Sequence, residues 1–436
     1  MKNGSILVWF RNDLRLHDNE VLYKAVKNSE NIVPIYCFDT KMFEKTIFDT
    51  SKTGAFRAKF LQDSVKDLRN NLKNKGAELI VEYGNPTEIV AQLAKEYGVK
   101  AVYAQKEITQ EEIAIENALE LALWKHKIPL ELIWGNTLFH IDDIPFTIKD
   151  LPDIFTSFRK KVESESNIRP LFDLQGKIIS HPSIAEQKPF ELKKYGIKLA
   201  DNKYFRGGET NALHRLKEYF WDKDLLKVYK ETRNGLLGMD YSSKFSPWLS
   251  LGCISPRYIY HQIKYYEIQR IANESTYWLV FELLWRDYFK FVFKKYGNSF
   301  FKSGGIKNIE TAPIENRFTE EAFEKWKSGE TGVDFVDANM KELKNTGFMS
   351  NRGRQNVASF LVHDLKVNWL KGAAYFEEML IDYDVCSNYG NWAYIAGVGN
   401  DPRENRKFNI EKQSRDYDPN REYINFWLNK QMDYAA

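Results

Sequence analysis

Between residues 345 and 394 the chain sets Asn351, Arg352, Arg354, Gln355, Asp382, Asp384 and Asn388 among Phe348, Trp369, Tyr389, Trp392 and Tyr394. Much of this window reads apolar, so several of these polar groups are expected inside the protein. A buried charge or amide is costly unless it finds a partner. Any fold for this chain must supply those partners, and two arrangements do so. An internal Arg–Asp network can tie helices together, or a bulky planar cofactor rich in donors and acceptors can complete the bonds.

At 436 residues the chain has core enough for two or three domains. A net charge of only +3 argues against a protein that coats nucleic acid non-specifically, and leaves room for a local basic patch. The cysteines Cys37, Cys253 and Cys386 are far apart and odd in number, which fits free thiols in a reducing cytoplasm. Three thiols cannot supply the four ligands of a four-iron cluster. The apolar run Ile6–Phe10 is too short for an export signal and is followed at once by Arg11, Asp13 and Arg15. No run of about 18 uncharged apolar residues offers a membrane span. A cytoplasmic monomer without membrane contact is the expectation.

Residues 1–135 alternate short β-rich runs with helical stretches. Ile6–Phe10, Ile32–Phe38, Glu78–Tyr83, Ala101–Ala104 and Leu130–Trp134 read as strands, and His17–Asn28, Gly54–Lys75, Pro86–Tyr97 and Gln110–His126 as helices. That alternation predicts a Rossmann-like, doubly wound parallel sheet. The dinucleotide fingerprint G-x-G-x-x-G does not follow the first strand. Gly84-Asn85-Pro86-Thr87 reads as a β–α turn or as a helix start beside a ligand. Residues 136–205 lose the rhythm and are punctuated by Pro145, Pro152, Pro170, Pro182 and Pro189, so they read as an ordered connector. From residue 206 to 436 the pattern is helical and predicts an all-α domain.

Three stretches can carry chemistry. In Ser242-Ser243-Lys244-Phe245-Ser246-Pro247, Ser246 before Pro247 predicts a helix with the serine as cap, and the hydroxyls, the lysine and free amides suit either an ordinary capped helix or a pyrophosphate. In residues 276–289, Trp278, Glu282, Trp285 or Arg286, and Phe289 share a helix face. Glu282 is the lone charge there until Arg286, so burial would raise its pKa unless Arg286 pairs with it. A carboxyl that holds its proton can donate to a substrate carbonyl. In the third, Asp382-x-Asp384 fails as a calcium loop, since Ser387 and Ala393 stand where glycine and glutamate are needed. No zinc-hydrolase pattern and no serine-nucleophile elbow is present.

Five segments taken together resemble the photolyase/cryptochrome family: W-F-R-N-D-L-R-L-H-D-N at 9–19, S-S-K-F-S-P-W-L-S-L-G-C-I-S-P-R at 242–257, F-E-L-L-W-R-D-Y-F at 281–289, T-G-F-M-S-N-R-G-R-Q-N at 346–356 and D-Y-D-V-C-S-N-Y-G-N-W at 382–392. D-L-P-D-I-F-T-S-F-R-K-K-V-E at 150–163 and F-R-G-G-E-T-N-A-L-H-R-L at 205–216 resemble its cryptochrome DASH branch. The motifs are long, in order, and spread over nearly the whole chain.

The resemblance implies non-covalent FAD in the helical domain and an antenna chromophore at the boundary with the α/β domain. Tyr229, Ser242, Ser243, Lys244, Phe245 and Ser246 match positions that hold the FAD phosphates. Glu282, Arg286, Asn351, Arg354, Asp382, Asp384 and Asn388 match positions around the flavin and adenine, with Arg354 and Asp382 as an ion pair and Asn388 facing the reactive ring nitrogen. Trp392, Trp369 and Trp326 match a tryptophan relay that carries electrons to photoexcited flavin. Glu107 matches a carboxylate that binds methenyltetrahydrofolate, and Lys302 a second contact, although Phe301 beside it departs from the pattern. The implied reaction is light-driven, electron-transfer repair of a cyclobutane pyrimidine dimer, with the lesion flipped out between Trp285 and Tyr394, near Asn351 and under Glu282. Gln355 and Tyr394 replace the methionine and tryptophan of duplex-repairing enzymes, which implies a preference for single-stranded DNA. The alternative is a blue-light photoreceptor of the same fold that binds nucleic acid and regulates transcription.

Overall fold

In the computed structural model, residues 4–309, 316–401 and 407–429 are described. Five strands, β1 Ser5–Phe10, β2 Asn31–Asp39, β3 Ile80–Gly84, β4 Ala101–Gln105 and β5 Leu130–Ile133, form one sheet in the order β3-β2-β1-β4-β5. Every pairing is parallel, with Trp9 of β1 in register with both Ile35 and Ala104. Four helices provide the crossovers: α1 Glu20–Asn28, α2 Ala55–Asn74, α3 Pro86–Glu96 and α4 Gln110–Trp124. The doubly wound prediction therefore holds, with strand and helix ends within a few residues of expectation. Alternation sorts the side chains by face. Ile6, Val8 and Phe10 join the large core shared with the helical half, whereas Leu7 and Trp9 join a smaller core under α3 and α4.

One helix starts later than its pattern suggests. The chain at His17 does not enter α1 until Glu20, because Asp18 adopts φ 45° and Asn19 caps the helix by accepting from Leu22 N at 3.0 Å. At the second site left open, Asn85 caps α3 by accepting from Thr87 N at 3.0 Å, an ordinary β–α turn.

After β5 the chain carries one α-helix, α5 Phe155–Glu165, before the helical half begins with α6 Glu209–Lys217. There follow α7 Tyr229–Thr232, α8 Ser246–Ser250, α9 Pro256–Gln269, α10 Glu274–Tyr296, α11 Arg317–Ser328, α12 Asp334–Thr346, α13 Asn351–Ser359, α14 Trp369–Met379, α15 Val385–Ile395, α16 Ile410–Tyr417 and α17 Glu422–Asn429. The longest, α10, opens with a reciprocal capping box between Asn273 and Thr276. Among the described residues no helix is long and apolar enough to cross a membrane.

Sheet and helices are joined by buried polar contacts. Arg257 of α9 donates to both carboxylate oxygens of Asp18 at 3.0 and 2.9 Å, with both side chains almost fully enclosed. Leu14 N donates to Leu251 O at 3.2 Å, and Gly252 turns there with φ +64°. A Cβ at Gly252 would lie 2.0 Å from Asn12 O, so only glycine lets the two chains approach. Asp287 of α10 accepts from Leu138 N and Phe139 N at 3.0 and 2.9 Å, which fixes the chain leaving the sheet.

Replacing Arg257 with Ala leaves Asp18 buried and uncompensated. The loss expected in urea denaturation is about 3–5 kcal/mol. A loss under about 1 kcal/mol would put this pair in the class of exposed bridges and contradict its role in joining the two halves.

Candidate functional site

A cavity of about 500 Å³ opens in the helical half, walled by α8, α10, α13, α15 and the loop before α8. That is room for a large organic ligand. Of the residues singled out from the sequence, Tyr229, Ser242, Ser243, Lys244, Phe245, Ser246, Glu282, Trp285, Arg286, Asn351, Arg354, Gln355, Asp382, Asp384, Asn388, Trp392 and Tyr394 line it. Trp369, Trp326, Glu107 and Lys302 do not.

The floor is an ion pair. Arg354 donates through Nη2 to the two oxygens of Asp382 at 3.0 and 2.8 Å, and through Nε to Met349 O at 2.9 Å. The helix that presents Arg354 begins where the Ser350 hydroxyl accepts from Gly353 N at 2.9 Å. Gly353 is pressed so close to α12 that a Cβ would stand 1.9 Å from Asn339 Oδ1. Ser246 corrects its expected role. Phe245 occupies the cap position of α8 without a side-chain bond, and Ser246 is the first helical residue. Its hydroxyl donates instead to Asp382 Oδ2 at 2.6 Å. A bond to a buried carboxylate outweighs a cap bond to a neutral amide.

Asp384 lies one turn before Asn388 and caps α15 by accepting from Ser387 N at 2.9 Å. Lys290 donates to its other oxygen at 2.9 Å. Burial works against this carboxylate, but the Lys290 and Arg286 cations hold it well below the usual range. Arg286 is itself aimed by Asn136 O at 2.6 Å, by the Asn136 amide oxygen and by Leu249 O at 3.2 Å. Asn388 donates Nδ2 to Ala373 O at 3.0 Å, which turns its amide oxygen away from that bond.

Arg286 therefore does not neutralise Glu282. Arg233, just past α7, forms that pair. Burial pushes the Glu282 carboxyl up and the Arg233 charge opposes the shift. Next to Glu282 on the rim, Trp285 stacks on Phe155 at 3.7 Å and 13° and meets the ring of Tyr394 edge-on at 6.2 Å. Gln355 accepts from Arg352 Nη1 at 3.0 Å, and Arg352 lies over Tyr417 at 4.3 Å. Asn351 is exposed at the start of α13.

The loop before α8 is organised by the buried Arg215, which donates to Met239 O at 2.9 Å, Ser242 O at 3.1 Å and Ser243 O at 3.2 Å. Lys244 adopts φ 60° and points its ammonium over Tyr241 at 3.5 Å and Phe348 at 4.5 Å. Burial pushes it down to about 7. Among the described residues it forms no ion pair. An enclosed lysine on a cavity wall, within the field of the Glu342 and Asp382 carboxylates but in no ion pair among the described residues, suits an anionic ligand group. With the Arg354–Asp382 floor and the Asn388 amide, it fits the phosphates and polar ring edge of a flavin dinucleotide.

The tryptophans divide. Trp392 lines the cavity and meets Trp326 at 6.2 Å, whereas Trp369 meets Tyr389 at 6.4 Å and donates to Ser303 O at 2.9 Å. Trp326 is fully enclosed and donates to Val357 O at 3.0 Å. Glu107 is buried at the sheet's end, where Asn12 and Gln105 donate to it at 3.2 and 3.0 Å and burial raises its carboxyl. The Arg11 cation, and after it Lys290, oppose that shift. Lys302 is exposed, and its neighbour Phe301 meets Tyr389 edge-on at 4.9 Å. No cluster of three or more His, Cys, Asp or Glu suited to a metal occurs among the described residues.

Sequence reasoning missed Arg233, Arg215, Asn136 and Lys290. Lys290 left a signal as the single charge in Phe289-Lys290-Phe291-Val292-Phe293, one turn after Arg286, and Arg215 lies in the 205–216 motif, though no role was read for it.

Residues 278–435 match the FAD binding domain of DNA photolyase, and residues 6–175 match the DNA photolyase family model. A cryptochrome DASH of Danio rerio is 52% identical, covering 97% of this chain and 83% of its own. A chloroplastic/mitochondrial cryptochrome DASH of Arabidopsis thaliana is 50% identical, covering 98% of this chain and 75% of its own. Among solved structures, a Synechocystis cryptochrome superposes with a TM-score of 0.94 at 49% identity, over 98% of this chain and 89% of that one. An archaeal photolyase from Sulfolobus tokodaii with two FAD molecules gives 0.82 at 27% identity, over 99% and 91%.

If Lys244 is the counter-charge for a phosphate, Lys244→Met weakens reconstitution of the flavin-free chain with FAD at least about tenfold, or ~1.4 kcal/mol, in a fluorescence titration. Unchanged affinity would remove Lys244 from the binding wall.

Proposed function

The chain belongs to the photolyase/cryptochrome family, in its cryptochrome DASH branch, and its residues 278–435 are an FAD-binding domain; we propose that it repairs cyclobutane pyrimidine dimers, preferentially in single-stranded DNA. The reading rests on one observation above all. A carboxyl and an indole suited to a flipped base, Glu282 and Trp285, stand on the rim of the same chamber whose floor is the Arg354–Asp382 pair. Cofactor and lesion would share one enclosure.

Bound FAD in its reduced form would supply, under blue light, the single electron that splits the dimer and is then returned. Around it, the chain's own groups bind and orient. Lys244 and the serines beside it hold phosphate, and Arg354 with Asp382 holds the polar edge of the ring. Asn388 offers a neutral amide where a carboxylate would repel negative charge. Trp285 and Tyr394 flank the flipped base, with Asn351 near it. Gln355 and Tyr394 make this rim polar and lower its grip on a base that must first leave a duplex stack, which favours strands already unpaired. Trp392 and Trp326, in ring contact, offer a path for electrons to the cofactor, and Trp369 is a third oxidisable ring in the same region. Methenyltetrahydrofolate as antenna would meet the buried Glu107 carboxyl, with the exposed Lys302 as its second contact.

Illuminating the purified, reduced protein with dimer-containing oligonucleotides tests this directly. Loss of dimers is expected in single strands, with little or none in duplex. DNA binding without dimer loss in either form would instead support a photoreceptor that acts through nucleic acid. Trp392→Phe is expected to slow photoreduction of oxidised FAD by an external thiol while sparing repair by chemically reduced protein. Photoreduction at the unchanged rate would remove Trp392 from the electron path.

A further inference from the structure

The Glu282 carboxylate is not free to serve a substrate in this structure, because Arg233 holds it. Arg233 comes from the end of α7, and its guanidinium lies over the Trp278 ring at 5.2 Å, with Lys230 of the same turn over that ring at 5.1 Å. The pair sits at the cavity wall and is partly open to solvent, with side-chain exposures of 22% for Arg233 and 32% for Glu282. The other groups facing Glu282 are few. From α7 come Arg233 and the Tyr229 phenol, which burial keeps neutral. On α10 itself Arg286 is turned away to Asn136. Arg233 is thus the cation paired with Glu282, and its charge opposes the pull of burial on that carboxyl.

An ionised carboxylate only accepts hydrogen bonds, and so does a pyrimidine carbonyl. The two groups repel each other unless a proton is placed between them. A DNA strand carries the anion that competes for a guanidinium at the rim, since phosphate matches its planar donors as well as carboxylate does.

Building on the reading of this cavity as a dimer site, we propose that Arg233 is a latch worked by the substrate strand. The phosphodiester beside the flipped lesion draws Arg233 off Glu282, and Glu282 then takes one proton from solvent and donates it as a hydrogen bond to a pyrimidine carbonyl. One O–H bond forms, one solvent proton is consumed, and no electron or carbon bond is involved. Without a bound strand the carboxylate stays paired, so no donor is presented. Arg233 is a positioning residue here, acting through Glu282.

Proton counting tests the latch. The FAD-loaded protein is titrated in the dark, at pH 7.5, with a dimer-containing single-stranded oligonucleotide, by calorimetry in two buffers of different ionisation enthalpy. The wild type is expected to take up about one proton more per bound strand than Glu282→Gln. Arg233→Met is expected to bind the dimer strand without that uptake, because no cation is left for the strand to draw off Glu282. Dimer-selective binding by the wild type with equal enthalpy in both buffers would overturn the latch and leave the dimer site standing, as would uptake that persists in Glu282→Gln. Binding that does not distinguish dimer from undamaged strand would overturn both.

Discussion

The organisation of the helical half depends on keeping Asp384 ionised while it is buried. Glu282, Arg286 and Lys290 rise along α10 at one-turn intervals, and Asp384, Asn388 and Trp392 rise along α15 with the same spacing. Lys290 and Arg286 face Asp384 from the first ladder and hold it charged. Asp384 in turn starts α15, and that start fixes the direction in which Asn388 and Trp392 point. Removing the carboxylate would leave the enclosed Lys290 cation unpaired and the helix uncapped at once. The cavity is therefore a consequence of charge pairing between two helices more than of apolar packing around a void.

The parallel sheet was legible because its strands combine β-branched runs with clear helical spacers, and register then follows from burial on both faces. The site was legible in part. Charges stranded in apolar windows, such as Arg354, Asp382 and Glu282, announced that partners exist. Which partner each would take was not written locally. Glu282 has Arg286 one turn away on its own helix and yet pairs with Arg233, 49 residues distant. Ser246 before Pro247 carries a strong local cap signal, and a carboxylate 136 residues away overrides it. Trp326, Trp369 and Trp392 could be named but not ordered, since ring contacts depend on how α11, α14 and α15 cross. Arg233 had no signal at all, because one more arginine in a charged segment is unremarkable in a sequence, and Arg215 stood in the 205–216 motif without anything to mark its role.

Gln355 and Tyr394 both have a structural setting. Gln355 is anchored through its amide oxygen by Arg352, which is itself laid on Tyr417 of α16. Tyr394 meets Trp285 edge-on. A polar rim of this kind is supported from behind by ordinary packing, so its polarity is built in and does not come from a loose surface loop.

Asn136 and Phe155 belong to the stretch between sheet and helices, yet the first aims Arg286 and the second backs the indole of Trp285. Leu138 and Phe139 in the same stretch donate to Asp287. A chimaera taking its sheet from one relative and its helices from another must keep this segment with the helices. A recombination breakpoint placed after it would give the chamber a foreign wall, whereas one upstream of Asn136 would leave that wall intact.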